Sequence, residues 1–161
     1  MAVIQLNQKE SSETIVEAGD TVDLGVLGPC LGVIIYSPNA RQAYAAQLIA
    51  ADDRLESLAI RAINRLGIPG NLEVYLAGAS VESDSEDDLT QCILEDRAVA
   101  RQILLRQMFD PARLHVRWGP VDAYTRLMFD PEKGEAKLKI NDYYGNVVYE
   151  GLFEDAPLFI N

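Results

Sequence analysis

The sequence predicts an α+β fold, a layered α/β sandwich in which two main helices pack on a mixed or largely antiparallel sheet. Two segments carry apolar residues at helical spacing, over residues 55–66 and 94–109. An apolar run from Leu31 to Tyr36 is typical of a strand covered on both faces. The C-terminal quarter alternates β-rich segments with turn residues, which indicates an antiparallel meander.

A chain of 161 residues suits one domain spanning residues 1–161. Residues 1–13 are mostly polar, and we expect such a terminus to be loosely held. The apolar runs are shorter than the roughly 20 residues that a membrane span needs, and no basic-then-apolar export signal begins the chain. These features predict a cytoplasmic protein without membrane insertion.

The residue pattern of the first half of the chain predicts mostly strands. Thr14 to Val16 and Thr21 to Leu24 are β-branched or apolar segments separated by turn residues. The segment from Gln42 to Ala51 follows a tight turn, which favours a hairpin partner for Leu31 to Tyr36, although its alanines also suit a helix.

The first helix has clear ends. Asp52 or Asp53 is a good N-cap, and Gly67 followed by Pro69 ends the helix in the usual order. The segment from Leu72 to Ala77 is bounded by turn residues and predicts a strand in a βαβ-like unit.

A second helix is predicted from about Leu94 to Phe109, stopped by the Asp-Pro pair that follows. Its core-facing residues are predicted to be Val99, Ile103, Leu104 and Met108, and its outward-facing residues Arg97, Arg101 and Arg106. The next segment, Leu114 to Trp118, alternates at period two, which separates His115 and Arg117 from the apolar face. The meander strands are predicted at Tyr124–Phe129, Glu135–Ile140 and Asn146–Phe153.

The charge balance limits the partners. Twenty-five carboxylates against 14 basic residues give a net charge of −11, which opposes nucleic acid and anionic membranes and suits a basic protein surface. Five carboxylates lie in the seven residues from Glu82 to Asp88. This segment is either a solvated loop or a docking patch for a basic partner. It lacks the glycine of an EF-hand loop, so we predict no metal there.

Two cysteines in a chain without an export signal predict free thiols. Cys30 ends a Gly-rich turn, where it is either a nucleophile or a small buried hydrophobe. Cys92 lies beside the acidic segment, whose charge disfavours a thiolate.

The lone histidine, His115, offers no zinc-ligand spacing with the cysteines, and no Walker-type loop is present. No cofactor is therefore expected.

The order of these segments resembles that of the CheD family, the chemoreceptor glutamine deamidases of bacterial chemotaxis. The resemblance runs from about Gly19 to Ile140 and rests on the following pieces, in order: Leu24 to Cys30, Gly32 to Tyr36, Ser37-Pro38, Ala43 to Ile49, the helix Asp53 to Gly67, the strand Leu72 to Leu76, Ala77 to Ser80, and Arg97. It implies a layered α/β fold and, in active members, a cysteine that attacks a glutamine amide with a histidine as base and a threonine that orients it.

Of that catalytic set, the cysteine alone carries over, onto Cys30. The histidine position falls on Ala46 or Gln47, neither of which moves a proton near neutral pH. The threonine position falls on Leu24 or Asp23. Pro29 replaces the usual serine beside the cysteine and removes a backbone N–H.

The leading hypothesis from the resemblance is a CheD-like binding or regulatory protein with a degenerate catalytic set, linked to chemotaxis or signalling. Its binding groove is expected at Gly28, Pro29, Leu31, Gly78, Ala79 and Ser80. The alternative is a cysteine-dependent amidohydrolase in which Cys30 acts with a substitute base, for which His115 is the candidate.

Overall fold

Three layers form the structure: one layer of helices, a five-stranded sheet beneath it and a second five-stranded sheet below that, as counted over the described residues. It is a computed structural model that describes residues 2–6 and 12–159. The α+β class with two main helices is confirmed. The strands, however, divide into two mixed sheets, whereas the sequence indicated one.

Within the described residues there are ten strands, two α-helices and three short 3-10 turns. The strands are β1 (Val3–Gln5), β2 (Ser12–Glu17), β3 (Thr21–Leu27), β4 (Leu31–Ser37), β5 (Gln42–Leu48), β6 (Glu73–Gly78), β7 (Leu114–Trp118), β8 (Ala123–Asp130), β9 (Glu135–Asp142) and β10 (Val147–Leu152). The helices are α1 (Asp53–Leu66) and α2 (Asp87–Arg106), and the 3-10 turns are Pro69–Asn71, Pro111–Arg113 and Phe153–Asp155.

The upper sheet has the order β2-β5-β4-β6-β7 and carries the helices on one face. Its β4–β5 hairpin is confirmed, with Leu31 opposite Leu48. Helix α1 connects β5 to β6, and α2 connects β6 to its parallel neighbour β7. This second connection is a βαβ unit, and both helices pack into the same core on one face of the sheet.

The lower sheet has the order β1-β3-β8-β9-β10. Its last three strands form the predicted antiparallel meander. Residues Val3–Gln5, expected in a loosely held terminus, form β1 and pair in parallel with β3. Ser12 and Glu13 begin β2, and the part of that expectation at residues 1 and 7–11 lies outside the described residues.

Two cores meet at β4, whose seven residues are all buried. Alternate side chains of β4 enter the core beneath the helices, as Val33 does, or the core between the sheets, as Ile34 does. Apolar burial on both faces explains why this strand has no polar alternation. Each buried aliphatic side chain contributes about 1.5–3 kcal/mol relative to exposure.

Helix α1 follows its sequence signals. The side chain of Asp52 accepts a hydrogen bond from the amide of Arg54, 3.0 Å away, and Gly67 terminates the helix with φ 112°. Positive φ strains any residue with a Cβ, which is why glycine stands there.

Helix α2 begins seven residues before the predicted start. Asp87 and Asp88 form its first turn, where negative charge favours a helix N-terminus. The inward and outward assignments are partly wrong: Met108 is 74% exposed, and Arg97 is half-buried. Met108 follows the helix end with φ 71°, so it leaves the helical register.

Candidate functional site

Cys30 lies where β4 begins, at one end of the two-sheet sandwich. It is half-buried against the core between the two sheets. Its thiol is free, as is that of Cys92. Burial raises the pKa of the Cys30 thiol, so the thiolate is disfavoured at neutral pH.

His115 lies on β7, far from Cys30. Strand register places it level with Tyr75 on β6, whereas Cys30 is one residue beyond the pairing of Leu31 with Gly78. Strand spacing puts the two backbone positions roughly 16 Å apart. The Nε2 atom of His115 lies 2.8 Å from a carboxylate oxygen of Glu73, and its ring stacks on Tyr75. The catalytic roles given to Cys30 and His115 stay predictions.

The two candidate histidine positions face opposite sides of the upper sheet. Ala46 faces the helices, whereas Gln47 faces the lower sheet, on the same side as Cys30. Gln47 donates a hydrogen bond to the carbonyl of Val26, 3.1 Å away, and is 3% exposed. It therefore ties the two sheets together.

The two candidate threonine positions also differ. Leu24 is buried between the sheets. Asp23 forms an ion pair with Arg126 at 2.8 Å and accepts a hydrogen bond from the amide of Gly25.

The two turns of the predicted groove are brought together. The amide of Ser80 donates to the carbonyl of Gly28 at 2.9 Å, and the amide of Ala79 donates to the carbonyl of Cys30 at 2.8 Å. Of the six predicted groove residues, Pro29 is exposed, and the buried ones are Gly28, Leu31, Gly78, Ala79 and Ser80. Pro29 and half-buried Cys30 therefore carry the accessible surface of this turn, and a binding groove here stays a prediction.

Arg97 holds these turns from the helix layer. Its guanidinium donates to the carbonyl of Ala79 at 2.6 Å and 3.0 Å, and to the carbonyl of Gly119 at 3.5 Å. The guanidinium also lies 5.7 Å from the centre of the Trp118 ring. Burial lowers the pKa of Arg97. Sequence reasoning predicted this arginine to face outward.

A cleft of about 370 Å³ opens at the same end of the sandwich, where the β7–β8 loop, the β9–β10 turn and the segment after β6 meet. We call it the acidic tyrosine cleft, and it is lined by Ser83, Asp84, Val121, Asp122, Asp142, Tyr143 and Tyr144. It contains three carboxylates and two tyrosines and no lysine or arginine. The other four clefts described have volumes of about 70 to 280 Å³.

Internal hydrogen bonds fix the walls of this cleft. The amide and hydroxyl of Ser83 both donate to the carboxylate of Asp122, and the amide of Asp122 donates to the carbonyl of Val81. The carboxylate of Asp142 accepts hydrogen bonds from the amides of Tyr144 and Asn146, each at 2.9 Å. The loops are therefore positioned before any ligand arrives.

The cleft stays charged. Hydrogen bonds from Ser83 lower the pKa of Asp122, and those from Asn146 and Tyr144 lower the pKa of Asp142. Burial and the neighbouring Glu82 raise the pKa of Tyr143, so its phenol stays neutral. Tyr143 also packs on Tyr124, with ring centres 4.8 Å apart.

The sequence showed the parts of this cleft without their assembly. The acidic segment and the Tyr143-Tyr144 pair are visible in the chain, but they are more than fifty residues apart. The order of the meander, which sends the β7–β8 loop and the β9–β10 turn to one end, is the signal that joins them.

Among the described residues, no three His, Cys, Asp or Glu side chains come together in a group that could hold a metal ion. Over that same part of the chain, no helix combines the length and apolar character needed to cross a bilayer.

Neither a family model nor a curated protein matches the sequence. Solved structures match the fold. The chain is similar to the Bacillus licheniformis hypothetical protein YfiH, with TM-score 0.50 and 16% identity over 66% of this chain and 49% of that one. It is similar to YlmD from Geobacillus stearothermophilus, with TM-score 0.50 and 14% identity over 71% of this chain and 57% of that one.

A third similarity is to the C-terminal domain of CNFy from Yersinia pseudotuberculosis, with TM-score 0.50 and 8% identity over 93% of this chain and 60% of that one. The chain thus spans about half to three fifths of the length of these proteins. At these identities the similarity shows a shared fold.

The assignment to the CheD family is wrong, because the solved structures that share this fold include YfiH and YlmD. The two functions inferred from the CheD assignment are therefore also wrong. These are the CheD-like regulatory protein of chemotaxis and the glutamine deamidase that uses Cys30. The physical reason is that a glycine of the matched pattern serves packing: a Cβ on Gly32, the second residue of β4, would lie 2.6 Å from a methyl of Leu27.

Burial of Cys30 predicts slow alkylation. In a Cys92→Ser variant, we expect iodoacetamide to modify Cys30 more slowly than it modifies a free cysteine, with a rate that rises only above the ordinary thiol pKa of about 8.5. The rate would be followed by mass spectrometry from pH 6 to 10, with urea-unfolded protein as the control. Fast modification of the folded protein at pH 7 would contradict the raised pKa.

Proposed function

We propose that this chain is a protein-binding module that takes a basic segment of a partner protein into the acidic tyrosine cleft. The observation that carries the proposal is the composition of the cleft wall: Asp84, Asp122 and Asp142 stand beside Tyr143 and Tyr144 with no cationic side chain among the lining residues. Carboxylates pair with ammonium and guanidinium groups, and tyrosine rings attract the same cations through their faces.

The shape of the cleft favours a peptide segment over a metal ion or a small molecule. The carboxylates line an open cleft and do not form a metal-binding group within the described residues. Exposed apolar side chains continue the surface around the cleft: Val121, Tyr124 and Val147 are each about 40% exposed or more. Tyr144 is 92% exposed. A segment that mixes cations with apolar residues matches this surface.

The net charge of −11 supports the same partner class, because it accelerates the approach of a basic segment. The lowered pKa values of Asp122 and Asp142 add a pH signature. Both carboxylates stay ionised at pH values where an ordinary aspartate takes up a proton, so binding is expected to persist down to about pH 4, near the ordinary aspartate pKa.

The test is a binding titration with a fluorescent twelve-residue peptide that alternates lysine and valine, and with a matched peptide that alternates glutamate and valine. The wild-type protein is expected to bind the lysine peptide only. Asp84→Lys combined with Tyr144→Ala is expected to weaken binding about tenfold or more, which corresponds to about 1.4 kcal/mol. Neither side chain makes a hydrogen bond or ion pair that holds the loops within the described structure.

The matched control is Glu132→Lys, an exposed site in the β8–β9 turn at the other end of the sheets. It changes the net charge of the protein as Asp84→Lys does. Affinity within about twofold of wild type is expected for this control, since a long-range field is screened at physiological salt. An equal loss in both variants, or binding of the glutamate peptide, would overturn the proposal.

A further inference from the structure

The edge of the lower sheet extends the acidic tyrosine cleft. Strand β10 is the last strand in the order β1-β3-β8-β9-β10, and it pairs with β9 on one side. The backbone N–H and C=O groups of its other side therefore face outward, in the arrangement that accepts an added strand.

Among the described edge strands, β10 carries the least protection against pairing. Strand β1 is three residues long. Strand β2 carries Glu13 and Glu17, which pair with arginines of α1, and β7 carries His115 and Arg117. Strand β10 reads Val-Val-Tyr-Glu-Gly-Leu, with no lysine, arginine or proline, and its two valines are 54% and 47% exposed.

A bulge divides this edge into two parts. The register with β9 shifts between Val147 and Tyr149, and from Tyr149 to Leu152 the ladder is regular. Four regular residues span about 14 Å, which suits an added strand of four to five residues. Val147 and Val148 lie on the side of the bulge nearest the cleft, because β10 follows directly on the turn that carries Tyr143 and Tyr144.

We infer that the basic segment pairs as an added strand with Tyr149–Leu152 of β10 and runs from there into the acidic tyrosine cleft. This inference rests on the proposed function and specifies how the partner is held. Backbone hydrogen bonds along β10 supply affinity that does not depend on side chains, and the cleft selects cationic residues at one end of the segment.

Charge selects this occupant over a second copy of the chain. Glu150 is exposed on β10, and Glu154 and Asp155 are exposed just beyond its end. A second copy that paired through β10 would bring another exposed Glu150 to the same edge, in molecules that each carry −11. A lysine-bearing strand meets the same carboxylates with opposite charge.

The experiment methylates the backbone amides of the lysine-valine peptide one at a time. An N-methyl group removes one N–H donor and leaves the side chains unchanged. Strand addition predicts losses of about tenfold at alternate positions within a window of four to five residues, because alternate amides of a strand face its partner. In parallel, Glu150→Lys is expected to weaken the unmethylated peptide about fivefold or more relative to Glu132→Lys, by placing a cation on the edge.

The outcomes separate the two proposals. If the unmethylated peptide binds through the cleft but tolerates methylation at every position, the strand inference is overturned and the proposed function stands. If the unmethylated peptide does not bind, the proposed function fails first. A concentration-dependent dimer in sedimentation that Glu150→Lys alters would assign β10 to a second copy and overturn the inference. Protection of the Tyr149–Leu152 amides from hydrogen exchange by the peptide would support it.

Discussion

Replacing Gly78 with alanine is expected to lower the free energy of unfolding by about 3 kcal/mol or more. Gly78 ends β6 with φ 87°, in the region that disfavours a Cβ. A Cβ there would also lie 2.6 Å from the carbonyl oxygen of Cys30 and 2.9 Å from the Cβ of Leu27. That carbonyl accepts a hydrogen bond from Ala79, so the backbone cannot move away without losing it.

Two other glycines separate the causes of this loss. Gly19→Ala meets positive φ with no atom within 4 Å of the added Cβ, so it reports the backbone strain alone, about 1 kcal/mol. Gly70→Ala introduces neither a Cβ at positive φ nor a close contact, so its free energy of unfolding is expected to change by no more than about 0.5 kcal/mol. Urea unfolding monitored by circular dichroism measures all three variants. Equal losses for Gly78→Ala and Gly19→Ala would show that the crowding at Cys30 costs nothing.

Replacing Arg97 with methionine is expected to cost about 2–3 kcal/mol of stability. The methionine keeps the apolar stem but removes the guanidinium that donates twice to the carbonyl of buried Ala79. Ala79 directly follows β6, and its amide donates to the carbonyl of Cys30, so the loops around Cys30 should loosen as well. Arg97→Lys is expected to destabilise the protein less than Arg97→Met. Lysine keeps the positive charge and a hydrogen-bond donor, although it loses the planar guanidinium with its parallel N–H donors.

Arg101→Met is the matched control for Arg97→Met, since Arg101 lies one turn further along α2 and is exposed. It should change stability by less than about 0.5 kcal/mol. Urea unfolding gives the stability of each variant, and exchange rates of the Ala79 and Ser80 amides report the loops. If Arg97→Met and Arg101→Met behave alike, the guanidinium of Arg97 does not hold these turns.

Local sequence signals predicted those elements whose formation depends on local forces. Helix α1 was found with its ends because Asp52 and Gly67 cap it within the helix itself. The β4–β5 hairpin and the meander were found because short turns join neighbouring strands. The predicted start of α2 is seven residues too late. Asp87 and Asp88 belong to an acidic run that by itself indicates a solvated loop, whereas in the structure they form the first turn of the helix.

Long-range contacts explain the remaining errors. The orientation of Arg97 is set by carbonyls at Ala79 and Gly119, residues that no periodicity within α2 reveals. The division into two sheets depends on the pairing of β3 with β8, about a hundred residues apart in the chain. The candidate site shows the same limit, because its aspartates and tyrosines become neighbours through topology.

Strand β4 has a consequence for how the molecule comes apart. Its side chains belong to both cores, and both of its neighbours, β5 and β6, pair with it along their lengths. Removing the helices exposes one face of β4, and removing the lower sheet exposes the other, so neither layer can open widely without destabilising the strand they share. The helical layer and the lower sheet therefore form one cooperative unit, and unfolding is expected to be a single transition in which the amides of β4 exchange last.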